Sequence, residues 1–159
     1  MSFLKKLFGG AGSSPKDPVF PGESFAILKL DMPDGLAIAT VNKAYENYPN
    51  KSFYPFFVGI ELEIIDKNDN GHPVNEEAVK LNDIQEEIEA FLKQTQTVHS
   101  VARVTRNGAR DILIYIDEPK LKQKEVETFF NKIQKERQVN FGIQKDSAWN
   151  AVSGFMKQQ

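Results

Sequence analysis

The chain has 159 residues, 40% of them hydrophobic and 26% charged, with a formal net charge of -2. That is ordinary globular composition for one domain, and it excludes overall disorder and a global basic field that would draw nucleic acid or an anionic membrane. There is no cysteine, so disulfides, thiolate metal sites and cysteine nucleophiles are excluded, in keeping with a reducing, cytoplasmic setting.

Residues 1–22 are expected to stand apart from a single α+β domain over 23–159. Met1–Phe8 places Phe3, Leu4, Leu7 and Phe8 on one helical face with Lys5 and Lys6 opposite. Eight such residues allow at most a weak membrane-surface contact. The Gly-, Ser- and Pro-rich run to Gly22 reads as a linker. No apolar run reaches the roughly 20 residues a transmembrane helix needs.

Ser24–Asp31 and Leu36–Asn42 read as a β-hairpin around Pro33-Asp34-Gly35. Tyr45–Pro55 is aromatic and proline-punctuated, a packed loop. Phe56–Ile65 alternates as a strand, with Val58, Ile60, Leu62 and Ile64 on one face and Gly59, Glu61 and Glu63 on the other. After the loop Asp66–Pro73, Glu76–Gln94 carries apolar residues at helical spacing, with Asn75 or Asn82 as N-cap.

Thr97–Asp117 organises the chain. It reads as two strands joined at Asn107-Gly108, where a type I′ turn would give both central residues positive φ. That register sets Thr105 opposite Arg110, Arg103 opposite Ile112 and Val101 opposite Ile114. The first strand is polar enough for a sheet edge. A helix from Pro119 to about Arg137 follows, then a strand through Val139, Phe141 and Ile143. A closing helix spans Ser147–Met156, with Trp149, Val152 and Met156 inward and Asp146 or Ser147 capping it.

From Phe56 the order strand, helix, strand, strand, helix, strand predicts a ferredoxin-like βαββαβ unit. The N-terminal β-hairpin and the short C-terminal helix are additions to it. Phe56–Ile65 and Asp111–Ile116 are expected to be central, neighbouring and parallel. The helices cover one sheet face, leaving Glu61, Glu63, Asp111, Leu113, Tyr115 and Asn140 on the other unless the N-terminal hairpin or a partner covers it.

Three groups of residues could carry chemistry. Glu61, Glu63 and Asp111 could serve a small hydrolase or transferase if one carboxyl were desolvated, against the plainer reading of a solvated strand face. Arg103, Thr105 and Arg110 form a cross-strand cluster that could bind a carboxylate or phosphate, against a structural cluster neutralised from the Asp66–Glu77 loop. Asp66, Asn68, Asn70, Gly71 and Glu77 match a calcium-loop pattern, but the flanking strand and Pro73 do not suit one. His72 and His99 lack a second ligand nearby and read as loop or strand-end residues. No metal, cofactor or direct nucleic-acid binding is expected.

Gly71-x-Pro73, the acidic helix, Arg103-x-Thr105-x-x-Gly108-x-Arg110, Tyr115 and Asp146-x-x-Trp149 together resemble the bacterial family catalogued as domain of unknown function 695, over about Ser24–Met156. Some members of that family are joined to a domain resembling regulator of ribonuclease activity B. The resemblance therefore implies a regulatory, protein-binding module, with a regulator associated with a ribonuclease as the alternative, and carries no catalytic residues. The expected binding residues are Arg103, Thr105, Arg110, Glu61, Glu63, Asp111 and Tyr115.

Overall fold

A computed structural model describes residues 19–157. The expected amphipathic segment Met1–Phe8 and most of the linker lie outside these residues. Six antiparallel strands form one sheet in the order β1-β2-β4-β5-β3-β6. They are β1 (Phe25–Met32), β2 (Gly35–Asn42), β3 (Phe56–Glu63), β4 (Val98–Arg106), β5 (Ala109–Ile116) and β6 (Val139–Lys145). Three α-helices accompany them: α1 (Asn75–Lys93) between β3 and β4, α2 (Gln123–Gln134) between β5 and β6, and α3 (Asn150–Met156) after β6. Two 3-10 turns, Lys43–Tyr45 and Lys51–Phe53, shape the aromatic loop between β2 and β3.

β3 and β5 are neighbours as expected, but they run antiparallel, with Phe56 opposite Ile116 and Glu63 opposite Ala109. The connections explain the sign. The α1 crossover returns the chain so that β4 runs parallel to β3 with one strand's width between them. The tight turn then reverses β5 into that gap.

The N-terminal hairpin does not fold over the open face. It extends the sheet, with β2 pairing to β4 through Ile38–Thr105 and Val41–Ala102. β4 is therefore an interior strand rather than an edge, and its polar side chains find partners from α1 and from β5.

The register Thr105–Arg110 and Arg103–Ile112 is as read from the turn, but it slips between Ser100 and Ala102. This bulge turns Val101 into the aromatic core and sets Ser100 opposite Ile114 on the helix side. In the turn, Gly108 takes φ +80°, while Asn107 is not among the positive-φ residues. Positive φ at the second central position alone is the type II pattern, not type I′.

Each sheet face has its own core. Beneath α1 and α2 lie Val58, Ile60, Leu62, Ile112, Ile114 and Ile116, packed on Leu81, Ile88, Leu92, Phe130 and Ile133. Phe91 and Phe129 stack at 4.3 Å and join the two helices. Fully burying each such side chain is worth roughly 1.5–3 kcal/mol.

Helix α1 starts one residue before the expected Glu76, with Val74 in the N-cap position and Asn75 already helical. Helix α2 starts at Gln123 rather than Pro119. The buried Gln96 amide explains the delay. Its Nε2 donates to Asp117 Oδ1 and the Glu118 carbonyl, both at 2.7 Å, and its Oε1 accepts from the Lys120 amide. These bonds hold residues 117–120 out of helical geometry.

The opposite face is covered over one half only. There Tyr45, Tyr48, Tyr54, His99, Tyr115 and Trp149 are all buried, with Val152 and Met156 of α3. Helix α3 starts at Asn150 rather than Ser147. Trp149 sits before it at φ +58° and donates from Nε1 to the Tyr54 carbonyl at 2.9 Å. Asp146 caps the helix, accepting from the amides of Asn150 and Ala151 and from the Tyr115 hydroxyl at 2.7 Å. Burial pushes the Asp146 carboxyl up, but these three donors outweigh it and hold its pKa below the usual value. At the far end of α3, Lys43 Nζ reaches the Phe155 and Met156 carbonyls, where a cation suits the helix C-terminus.

Candidate functional site

The uncovered half of that face is a trough of about 780 Å³ crossing β1, β4, β5, β3 and β6 and closed at one side by α3. Its apolar lining comes from Leu30, Met32, Phe57, Val104, Leu113 and Phe155. Gly59 and Gly142 pair across β3 and β6 and bare the backbone of the floor. The Phe57 ring leans over Gly59, where an added Cβ would meet it at 3.1 Å; beside Gly142 a Cβ would meet nothing within 4 Å. A glycine in a strand marks such a place of close approach.

Glu61, Arg106, Asp111 and Asn140 form the polar end of the trough. Arg106 donates from Nε to Asp111 Oδ2 at 2.7 Å, from Nη2 to Asp111 Oδ1 at 3.2 Å, and from Nη2 to Glu61. Asn140 Nδ2 donates to Glu61 Oε1 at 2.9 Å. Its bonds to Asp111, then to Glu61, raise the Arg106 guanidinium pKa despite partial burial. Two carboxylates share one guanidinium, so this end keeps one net negative charge.

The other open-face candidates lie elsewhere. Glu63 accepts from the Gln138 amide at 2.8 Å and takes no part in the triad. Tyr115 does not reach the surface. It is fully buried and stacks on Trp149 at 4.1 Å. Burial and then Asp146 raise its pKa.

Arg103, Thr105 and Arg110 do come together, on the helix side. Arg110 Nε donates to Thr105 Oγ1 at 3.2 Å. Of the two alternatives, neutralisation from the Asp66–Glu77 loop is not made by an ion pair: among the described residues no carboxylate of that loop lies within ion-pair distance of either arginine, and Glu77 acts on Arg110 only from farther off. Instead, the neutral Asn82 Oδ1 accepts from Arg103 Nη1 at 3.0 Å and from Arg110 Nη1 at 2.8 Å. Asn82 thus lies inside α1 and is not its cap.

Glu77, the last position of the calcium-loop pattern, is 2% exposed and turns inward. It pairs with Arg137 Nη2 at 2.9 Å and accepts from the amides of Ile65 and Asp66. Burial pushes this carboxyl up; the Arg137 hydrogen bond and the two amides outweigh it and leave the pKa below the ordinary value. The loop itself docks on both hairpin tips. The Gly108 amide donates to the Gly71 carbonyl at 2.9 Å, Asn107 Nδ2 reaches the Asp34 carbonyl, and His72 Nε2 lies 2.6 Å from the Leu36 carbonyl. Gly71 has φ +78°, and a Cβ there would lie 2.9 Å from Asn107 Cα. No group of three or more His, Asp or Glu residues that could hold a metal ion occurs among the described residues.

Two residues escaped sequence reasoning. Arg106 carried a signal, because it sits diagonally across the turn from Asp111 and two acidic side chains alternate on β3. His99 carried none: its neighbours in the aromatic nest come from residues 20, 45, 48, 54 and 149. It is 0% exposed, its Nδ1 lies 2.9 Å from the Tyr45 hydroxyl, and its Nε2 has no hydrogen-bond partner among the described residues.

The fold and its trough define an α+β module with an open sheet surface. The family described as "Family of unknown function (DUF695)" matches residues 25–156, and the chain belongs to that family. No curated protein and no solved structure matches it. Among the described residues, no helix is long and apolar enough to cross a membrane.

Proposed function

We propose that this protein is a non-catalytic binding module that seats an apolar protein segment carrying a lysine or arginine in the sheet-face trough. The observation that carries this reading is the pairing of an apolar, glycine-floored trough with a carboxylate-rich end. Side chains such as Phe57 and Leu113 offer burial to aliphatic or aromatic residues. The Glu61–Arg106–Asp111 triad, one negative charge in excess, completes its neutralisation with a cation from the partner. A regulatory role fits such a module, since binding would be its whole output. The strand order β4-β5-β3-β6, with both helices on one face, supports placing this unit with the ferredoxin-like folds.

The carboxylates favour binding over acid–base chemistry. Such chemistry sets two groups in contrasting environments, whereas Glu61 and Asp111 contact the same guanidinium and Glu63 contacts a backbone amide.

Selection from a random peptide display library tests the reading. Recovered peptides should share apolar residues and a basic one, and their affinity should fall at least tenfold on Leu113→Asp, with Arg103→Gln as the neutral control. Peptides that bind both variants as well as the parent would overturn it.

A further inference from the structure

We propose that Arg103 and Arg110, with Thr105 and Asn82, form a site for a small oxyanion, a phosphate or a carboxylate group, on the helix-bearing face of the sheet. The proposal is independent of the trough, which lies on the other face. It begins with a charge imbalance. Arg103, Arg110 and Arg137 lie around the N-terminal half of α1, and among the described residues the fully buried carboxylate beside them is Glu77. Both Glu77 oxygens are committed, one to Arg137 and the other to two amides. Among the described residues, neither Arg103 nor Arg110 has a carboxylate within ion-pair distance.

Arg110 is only 5% exposed, and a buried guanidinium is ordinarily held by a carboxylate or phosphate that its planar fork matches. Here burial and then the neighbouring Arg103 charge lower its pKa to about 10, with Glu77 opposing from a distance. The single oxygen that both forks share, Asn82 Oδ1, carries no formal charge. It occupies the place where an anionic oxygen would accept from both. Asn82 is an exposed residue on α1, so its side chain can move aside or turn its Nδ2 to the incoming anion as a further donor. Arg103 also lines a hollow of about 400 Å³ with Thr40, Gln85, Ser100 and Glu89, whose carboxylate accepts from the Ser100 hydroxyl, so an anion would have to approach on the Arg103 side of the hollow, away from Glu89.

Inorganic phosphate is the probe. Phosphate also stabilises proteins generally by exclusion from their surface, so the measurement is the melting temperature in low-millimolar phosphate against chloride at equal ionic strength. The site predicts a rise of about 3 °C or more at about tenfold above the Kd. Arg103→Gln should abolish that rise while leaving the melting temperature in chloride equal or higher, because it removes a like charge. Asn82→Asp should act as a built-in anion, raising the melting temperature in chloride and cancelling the phosphate response. Acetate as a second probe separates the sources: a response to phosphate alone assigns a phosphate group, and an equal response to acetate assigns a carboxylate. No phosphate or acetate response in the parent, or the same response in Arg103→Gln, would overturn the proposal. Arg110→Ala is avoided because it would strand Thr105 in a buried site.

Discussion

Lowering the pH from 7 to 5 should destabilise the folded chain through His99. The ring is fully buried among Tyr45, Tyr48, Tyr54, Trp149 and Phe20, and desolvation lowers its pKa from 6.5 to about 4. The ionisable groups facing it are the three tyrosine hydroxyls, whose own pKa values burial raises, to about 12 for Tyr48. None supplies an anion near neutrality, so nothing there compensates an imidazolium. The folded state therefore binds a proton less readily than the unfolded chain. At pH 5 the unfolded ring is about 97% protonated and the folded one about a tenth, which amounts to about 2 kcal/mol lost relative to pH 7. The contribution is complete above pH 6.5 and declines as pH falls toward 4. For a chain of this length the loss lowers the melting temperature by about 4–8 °C. Urea denaturation at half-unit pH steps would measure the slope, and His99→Phe should flatten it between pH 5 and 7. Glu77 and Asp146, whose pKa values are depressed, add their own losses only below the ordinary carboxylate range. A parent whose stability is flat from pH 7 to 5, or a His99→Phe variant with the same slope, would refute the argument.

Other perturbations follow from the packing. Gly71→Ala should cost about 3 kcal/mol by chemical denaturation, combining positive φ with overlap onto Asn107. Gly108→Ala, whose Cβ would meet only Lys67 Nζ at 3.8 Å, should cost about 1 kcal/mol, so equal costs would contradict the docking of loop on turn. Glu77→Ala leaves Arg137 buried without its counter-charge and should cost about 3–5 kcal/mol; a loss below about 1 kcal/mol would show the pair to be hydrated. Millimolar calcium should leave the melting temperature unchanged, because Glu77 is turned to Arg137, and a rise of several degrees abolished by Asp66→Ala would contradict that geometry.

Local chemistry determined much of this protein. The two-residue alternation of Phe56–Glu63, the three- and four-residue spacing of Leu81, Ile88 and Leu92, and Gly108 between two strand-like runs specify elements because each depends on neighbours within a few residues. The Thr105–Arg110 contact was legible for the same reason: a two-residue turn sets the register beside it. Tertiary structure decided what depends on distant partners. The N-terminal hairpin joins the sheet edge instead of covering its face because β4 offers it backbone hydrogen bonds, and no periodicity in residues 25–42 distinguishes the two outcomes. The bulge at Val101, the late start of α2 under Gln96, and the burial of His99 each depend on contacts across tens of residues. Asn82 illustrates the division within the candidate anion site. Its sequence position suited a helix cap, but the fold sets it opposite two arginines from the neighbouring hairpin, because α1 crosses the same sheet face from which both side chains rise.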